Sequence, residues 1–232
     1  MSGGHSLAER FGQSDWSLSA LLVLLVVDIF IVDPLIQFQE SPGVLTPAGF
    51  SLFLLSGVAA ALRSRAATAI VGIFAAISFI VRWAGHMHPN MALARADAAS
   101  SLAFCVLLGA VILAQAFRPG PINLHRIQGA IAVYLLLGLA WAFAYTLVAL
   151  GDPAAFNFPA AALNPQHLHA RLLYFSTTTL TTLGYGDITP VNPIARSLAS
   201  LEGITGQLFP VLLLARLVSM ELNHHEQRER RL

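Results

Sequence analysis

The chain has 232 residues, 56% of them hydrophobic and 11% charged, and a formal net charge of +1 at pH 7. A soluble domain carries about 25% charged and 45–50% apolar residues, so this composition excludes an ordinary soluble enzyme, a disordered chain and a nucleic-acid binder, whose phosphate contacts need a basic surface. All 13 basic residues are arginine, a compositional bias with no functional weight, and the single cysteine, Cys105, reads as a small buried hydrophobe.

A membrane helix needs about 20 mostly apolar residues. Runs of that kind lie at 17–36, 46–63, 66–84, 94–117, 127–150 and 195–220, the second being the shortest. They predict an all-α membrane protein with six transmembrane helices. The leader MSGGHSLAERFGQSDW has no net positive charge and the apolar run behind it is too long for a signal core, so the first run counts as a span. Arg10, Arg63, Arg65, Arg118, Arg126, Arg228, Arg230 and Arg231 fall on one side of six crossings, while Arg82 and Arg95 fall on the other. Basic loops stay cytoplasmic, so both termini are expected inside the cell, with the chain in the plasma membrane. The Pro/Gly break at 119–121 divides a four-helix unit, 1–120, from a two-helix unit with an insertion, 121–232.

In the first helix Asp28 stands well inside the apolar run. An unpaired acid at a membrane helix centre costs about 2.5–3.5 kcal/mol, so Asp28 is expected to pair with Arg82 or Arg95. The fourth helix carries charge only at its start, Arg95 and Asp97. Histidines pair along the chain as His86 and His88, His167 and His169, and His224 and His225, but no carboxylate or thiol nearby completes a resident metal set. His167 and His169 carry the expectation of a response to outer pH.

Between the fifth and sixth helices, residues 168–181 read as a helix with Leu172, Leu173, Phe175 and Leu180 on one side. At 1.5 Å per residue it is about 21 Å long, too short for a hydrocarbon core of about 30 Å. Gly184 and Gly186 end it at once. Irregular backbone at membrane depth is tolerated where protein or a water-filled path covers it. The reading is a re-entrant pore helix and loop, and the alternative is a helix lying in the interface.

The run Thr179-Leu180-Thr181-Thr182-Leu183-Gly184-Tyr185-Gly186-Asp187 resembles the selectivity-filter signature of potassium channels, T-x-x-T-x-G-Y-G-D. The resemblance covers residues 125–220 well, and for 1–120 it is a count of spans. It implies an outer helix at 127–150, a pore helix at 168–181, a filter at 182–187 and an inner helix at 195–220. The carbonyls of Thr182, Leu183, Gly184 and Tyr185, with the Thr182 hydroxyl, would replace the hydration shell of K+. Thr179, Thr181, Gly186 and Asp187 would support that strand. Leu183 stands where the family usually has Val or Ile, on the side packed away from the ion. Aligned carbonyls require unusual angles at alternate residues, which Gly184 and Gly186 adopt cheaply. Four such loops would close a pore, so the resemblance implies a homotetramer in a lipid bilayer. K+ is the permeant ion and no cofactor is implied.

The last helix contains Gly203, Gly206 and Pro210, which helix interiors avoid. They match the place where potassium-channel inner helices bend, with close helix packing as the alternative reading. Glu202 on the same helix should face protein or water rather than lipid, behind the filter or pore helix. The six-span layout resembles voltage-gated channels, but their sensor places Arg at every third position of the fourth helix and this chain does not. The expected function is a passive potassium-selective channel without intrinsic voltage gating. The alternative is a non-conducting membrane scaffold or sensor that keeps the pore fold. An intact GYGD argues against a piece of a potassium transporter. No G-x-G-x-x-G, P-loop or nucleophile triad points to an enzyme, and the sequence names no auxiliary gating partner.

Overall fold

The computed structural model describes residues 18–38, 45–61, 65–117, 124–158 and 167–229. The leader, the Pro/Gly break at 119–121 and the last three residues lie outside them. Helix α1 covers 18–38 and is π-helical over Asp28–Val32, where the Asp33 amide donates to the Asp28 carbonyl. There follow α2 (Leu45–Ala60), α3 (Arg65–Met87), α4 (Met91–Ala116), α5 (Leu124–Gly151), β1 (Phe156–Asn157), α6 (Leu168–Leu180), β2 (Thr189–Pro190) and α7 (Pro193–Glu229).

Among the described residues, five apolar stretches are long enough to cross a membrane: Leu18–Leu35, Ala66–Met87, Met91–Ala116, Arg126–Gly151 and Pro193–Arg216. The expected second crossing, 46–63, is represented by the shorter apolar helix Pro47–Ala60. The expected inner helix at 195–220 extends to Glu229, so the polar tail continues it. The all-α expectation needs one amendment. β1 and β2 form an antiparallel pair of two residues each, Phe156 opposite Pro190 and Asn157 opposite Thr189. This pair ties the segment before α6 to the segment after the GYGD run.

Helix ends follow local chemistry. Asn90 caps α4 by accepting the Leu93 amide at 2.7 Å. Asn192 does the same for α7, accepting from Ala195 at 2.7 Å with Pro193 at the first helical position. The Asn192 carboxamide also donates to Asp152, which fixes α7 against the loop after α5.

One core joins α1 to α5 through Leu21, Leu25, Phe53, Phe104, Leu108 and Leu136. A second core collects Tyr145, Phe156, Leu172, Phe175 and Ile188 around the N-terminal half of α6. Val23, Phe30, Ile73, Ile80, Val211 and Leu214 remain exposed on the helices, as suits surfaces solvated by lipid tails.

The anticipated pairing of Asp28 with Arg82 or Arg95 is not formed. Asp97 takes the Arg82 guanidinium in a two-bond fork, both at 3.0 Å, and the guanidinium lies 3.6 Å above the Phe50 ring. Arg95 donates instead to the Leu150 carbonyl at the end of α5. Asp97, two residues beyond Arg95 and on a helix facing α3, meets the fork geometry that a carboxylate on α1 does not.

Candidate functional site

Helix α6 spans 13 residues, about 20 Å, with Thr181 as its C-terminal cap. Its threonines fold their hydroxyls back on the helix: Thr178 and Thr179 donate to the Phe175 carbonyl, and Thr181 donates to Thr177. Threonine in a helix commonly bonds this way, so the run stays helical until the glycines.

Beyond the cap, φ is +59° at Thr182, +53° at Gly184 and +78° at Gly186, and these are the chain's positive-φ positions among the described residues. Leu183 and Tyr185 lie between them on the ordinary side. Alternation of this kind is the backbone condition for successive carbonyls to line one face. Glycine meets it without penalty, whereas a β-branched residue there is an outlier costing about 1–2 kcal/mol. Strain at Thr182 is the kind retained at functional sites. The amides of Leu183 and Gly184 both donate to the Thr178 carbonyl, at 2.8 and 3.1 Å. Their N–H groups therefore turn back to the pore helix.

The loop is braced from its own chain on one side. Tyr174 stacks parallel on Tyr185 with centroids 6.4 Å apart. Gln207 on α7 donates to the Thr182 hydroxyl at 3.0 Å. On the other side the loop is bare: Leu183 is 57% and Tyr185 67% exposed.

Around the end of α6, Gly206 brings α7 so close that an added Cβ would lie 2.0 Å from the Leu180 carbonyl oxygen. Tyr134 on α5 donates to that same oxygen at 3.2 Å. Gly206 is thus a close-packing position. Gly203 has nothing within 4 Å of such a Cβ, and α7 runs unbroken through Pro210. Glu202 is fully buried and meets the hydroxyls of Tyr145 and Ser176, each at 2.5 Å. It lies behind α6, bound to Ser176, the residue that precedes the threonine run.

His169 stacks on Phe143 at 4.2 Å and contacts the Thr146 hydroxyl through Nδ1. Burial first, and Arg82 second, push its imidazole well below the usual histidine range. No group of three metal-ligating side chains occurs among the described residues.

The sequence singled out the filter run, the glycines and Glu202. It missed Tyr174 and Gln207. Tyr174 lies eleven residues before Tyr185 with no periodicity linking them, and Gln207 is an ordinary polar residue until α7 is docked. Its signal was a carboxamide in an otherwise apolar stretch next to Gly206.

Comparison with known proteins gives a family match and two relatives. Residues 133–222 match the family described as ion channel. Two pore potassium channel c of Oryza sativa subsp. japonica is 41% identical over 70 residues, which are 30% of this chain and 15% of that protein. Protein LctB of Bacillus caldotenax is 31% identical over 87 residues, 37% of this chain and 64% of that protein. The chain thus spans less than two thirds of either curated relative. The matched region holds α5 from Val133, α6, the Thr182–Asp187 run and most of α7. The chain is therefore a multi-pass membrane protein whose residues 133–222 are similar to the ion channel family.

Proposed function

We propose that the chain is a potassium-selective channel that conducts K+ passively, with four copies arranged around a common axis. The observation that carries this reading is the alternation of positive φ at Thr182, Gly184 and Gly186, together with Leu183 and Gly184 amides bound to the Thr178 carbonyl. With the amides committed to the pore helix, the carbonyls of Thr182, Leu183, Gly184 and Tyr185 and the Thr182 hydroxyl are the groups to coordinate a dehydrated cation. Thr179, Thr181, Gly186 and Asp187 hold that strand. The exposed Leu183 and Tyr185 side chains support assembly, because neighbouring copies would cover them. A closed ring of identical subunits is the ordinary solution for such a surface.

In this reading residues 121–232 are the pore domain and 1–120 are a four-helix domain that does not sense voltage. α2 is its short member and completes six crossings, with both termini on the cytoplasmic side of the plasma membrane. α4 carries Arg95 and Asp97, which cancel, and Asp97 is engaged with Arg82. Moving one charge through 100 mV is worth about 2.3 kcal/mol, so a helix with no net charge supplies no gating work. Gly203, Gly206 and Pro210 would place any bending of α7 just below the filter.

The test is flux. Purified protein in vesicles with an outward potassium gradient should dissipate it, and a sodium gradient should persist. Single-channel activity should not depend on voltage over about 100 mV on either side of zero. Intact, tetrameric protein that leaves the potassium gradient standing would instead indicate a non-conducting scaffold.

A further inference from the structure

Glu202 is a carboxyl with 0% exposure, placed where three helices meet. Its hydrogen bonds can be counted. Tyr145 on α5 donates its one proton to Oε2. Ser176 on α6 has one proton and two oxygens within reach: the Gly138 carbonyl at 2.8 Å and Glu202 Oε1 at 2.5 Å. If Glu202 were a carboxylate, both oxygens would require that single proton, and one buried contact would pair two acceptors. A proton on Oε1 resolves the count. Glu202 then donates to Ser176, Ser176 donates to Gly138, and Tyr145 donates to Oε2, leaving each of these groups satisfied. No arginine is paired with Glu202 among the described residues. The titratable groups facing it are Tyr145 and, farther along α5, Tyr134; α6 contributes the Ser176 hydroxyl.

We propose that Glu202 is held as a neutral carboxylic acid whose proton completes a relay from α7 through Ser176 to the backbone of α5, and that it is a positioning residue for the filter. The second half rests on the channel reading. Ser176 is two residues before Thr178, whose carbonyl holds the Leu183 and Gly184 amides. The relay therefore fixes the depth and rotation of the pore helix that presents the filter. A glutamine reproduces the neutral pattern: its amide N–H donates to Ser176 and its carbonyl accepts from Tyr145.

The experiment compares wild type with Glu202→Gln, Glu202→Ala and Ser176→Ala in lipid nanodiscs and vesicles. Difference infrared spectra of wild type against Glu202→Gln at neutral pH should show the carbonyl stretch of a protonated carboxylic acid that is lost in the variant. Glu202→Gln should keep potassium flux and selectivity. Glu202→Ala and Ser176→Ala should lose about tenfold in flux or selectivity, the size expected for a buried partner left unsatisfied. Raising the pH until Glu202 ionises should inhibit wild type and leave Glu202→Gln flat. A carboxylate band in place of the acid band, or a glutamine variant as impaired as the alanine one, overturns the proposal. Wild-type protein without flux would refute the channel reading, while the infrared band would still decide the protonation state.

Discussion

Replacing Gly206 with alanine sets a single methyl against backbone. The new Cβ would lie 2.0 Å from the Leu180 oxygen and 2.8 Å from its carbonyl carbon. Carbon–oxygen contacts settle at about 3.3–3.6 Å, so α7 or the end of the pore helix must retreat by about 1.3 Å. Neither is free to yield, because the Leu180 carbonyl is also held by Tyr134 and the next residues enter the filter run. Overpacking of this kind costs about 1–3 kcal/mol, offset in part by about 1 kcal/mol of helix propensity. The same change at Gly203 meets nothing within 4 Å and gains the propensity alone. A chain of this size shifts its thermal midpoint by about 2–4 °C per kcal/mol. Gly206→Ala should therefore lower the midpoint by a few degrees in detergent and abolish most potassium flux. Gly203→Ala should hold or raise the midpoint. Equal behaviour of the two variants, or a stable and fully conducting Gly206→Ala, refutes the close approach as the reason for glycine there.

Three further outcomes follow from the same geometry. Gln207→Leu removes the donor to the Thr182 hydroxyl at 3.0 Å and should alter block by internal barium about tenfold, the scale of one hydrogen bond to an ion-site ligand, with little change in thermal stability. Arg82→Ala takes away the fork to Asp97 and the stack on Phe50; breaking a largely buried pair should cost about 2–4 kcal/mol, with Arg82→Lys intermediate, as read from thermal melts. His169 is held neutral in the fold while the unfolded imidazole takes its proton near pH 6.5. The depressed value makes its contribution complete above that pH and lost as pH falls towards the folded value, so acidification from about pH 7 to about pH 5 should destabilise wild type more than His169→Gln.

The helix and loop at 168–187 were legible because their constraints are local. The spacing of threonines, glycines and Asp187 encodes a loop with its helix, and α6 ends within a residue of the expected place. Hydropathy found the long helices for the same reason; α2, Leu45–Ala60, is the short one, about one turn under the usual crossing length. Most of the misses are long-range. Asp28 invited pairing on charge and depth alone, but the partner of Arg82 is decided by how α3 faces α4. The positive φ of Thr182 runs against its β-branched side chain, so propensity points away from it. Gly206 was legible as a helix breaker but not as a contact with Leu180. Glu202 was legible as a buried acid, yet its partners, Tyr145 and Ser176, lie 57 and 26 residues away.

The central claim, that four bared peptide oxygens at 182–185 take over the hydration of a potassium ion, is tested most directly by the reversal potential of reconstituted protein with potassium on one side and sodium on the other. Selective coordination predicts a reversal potential close to the potassium equilibrium value, shifted towards zero in Gly184→Ala. A wild-type reversal potential at zero, with current carried equally by both ions, would contradict it.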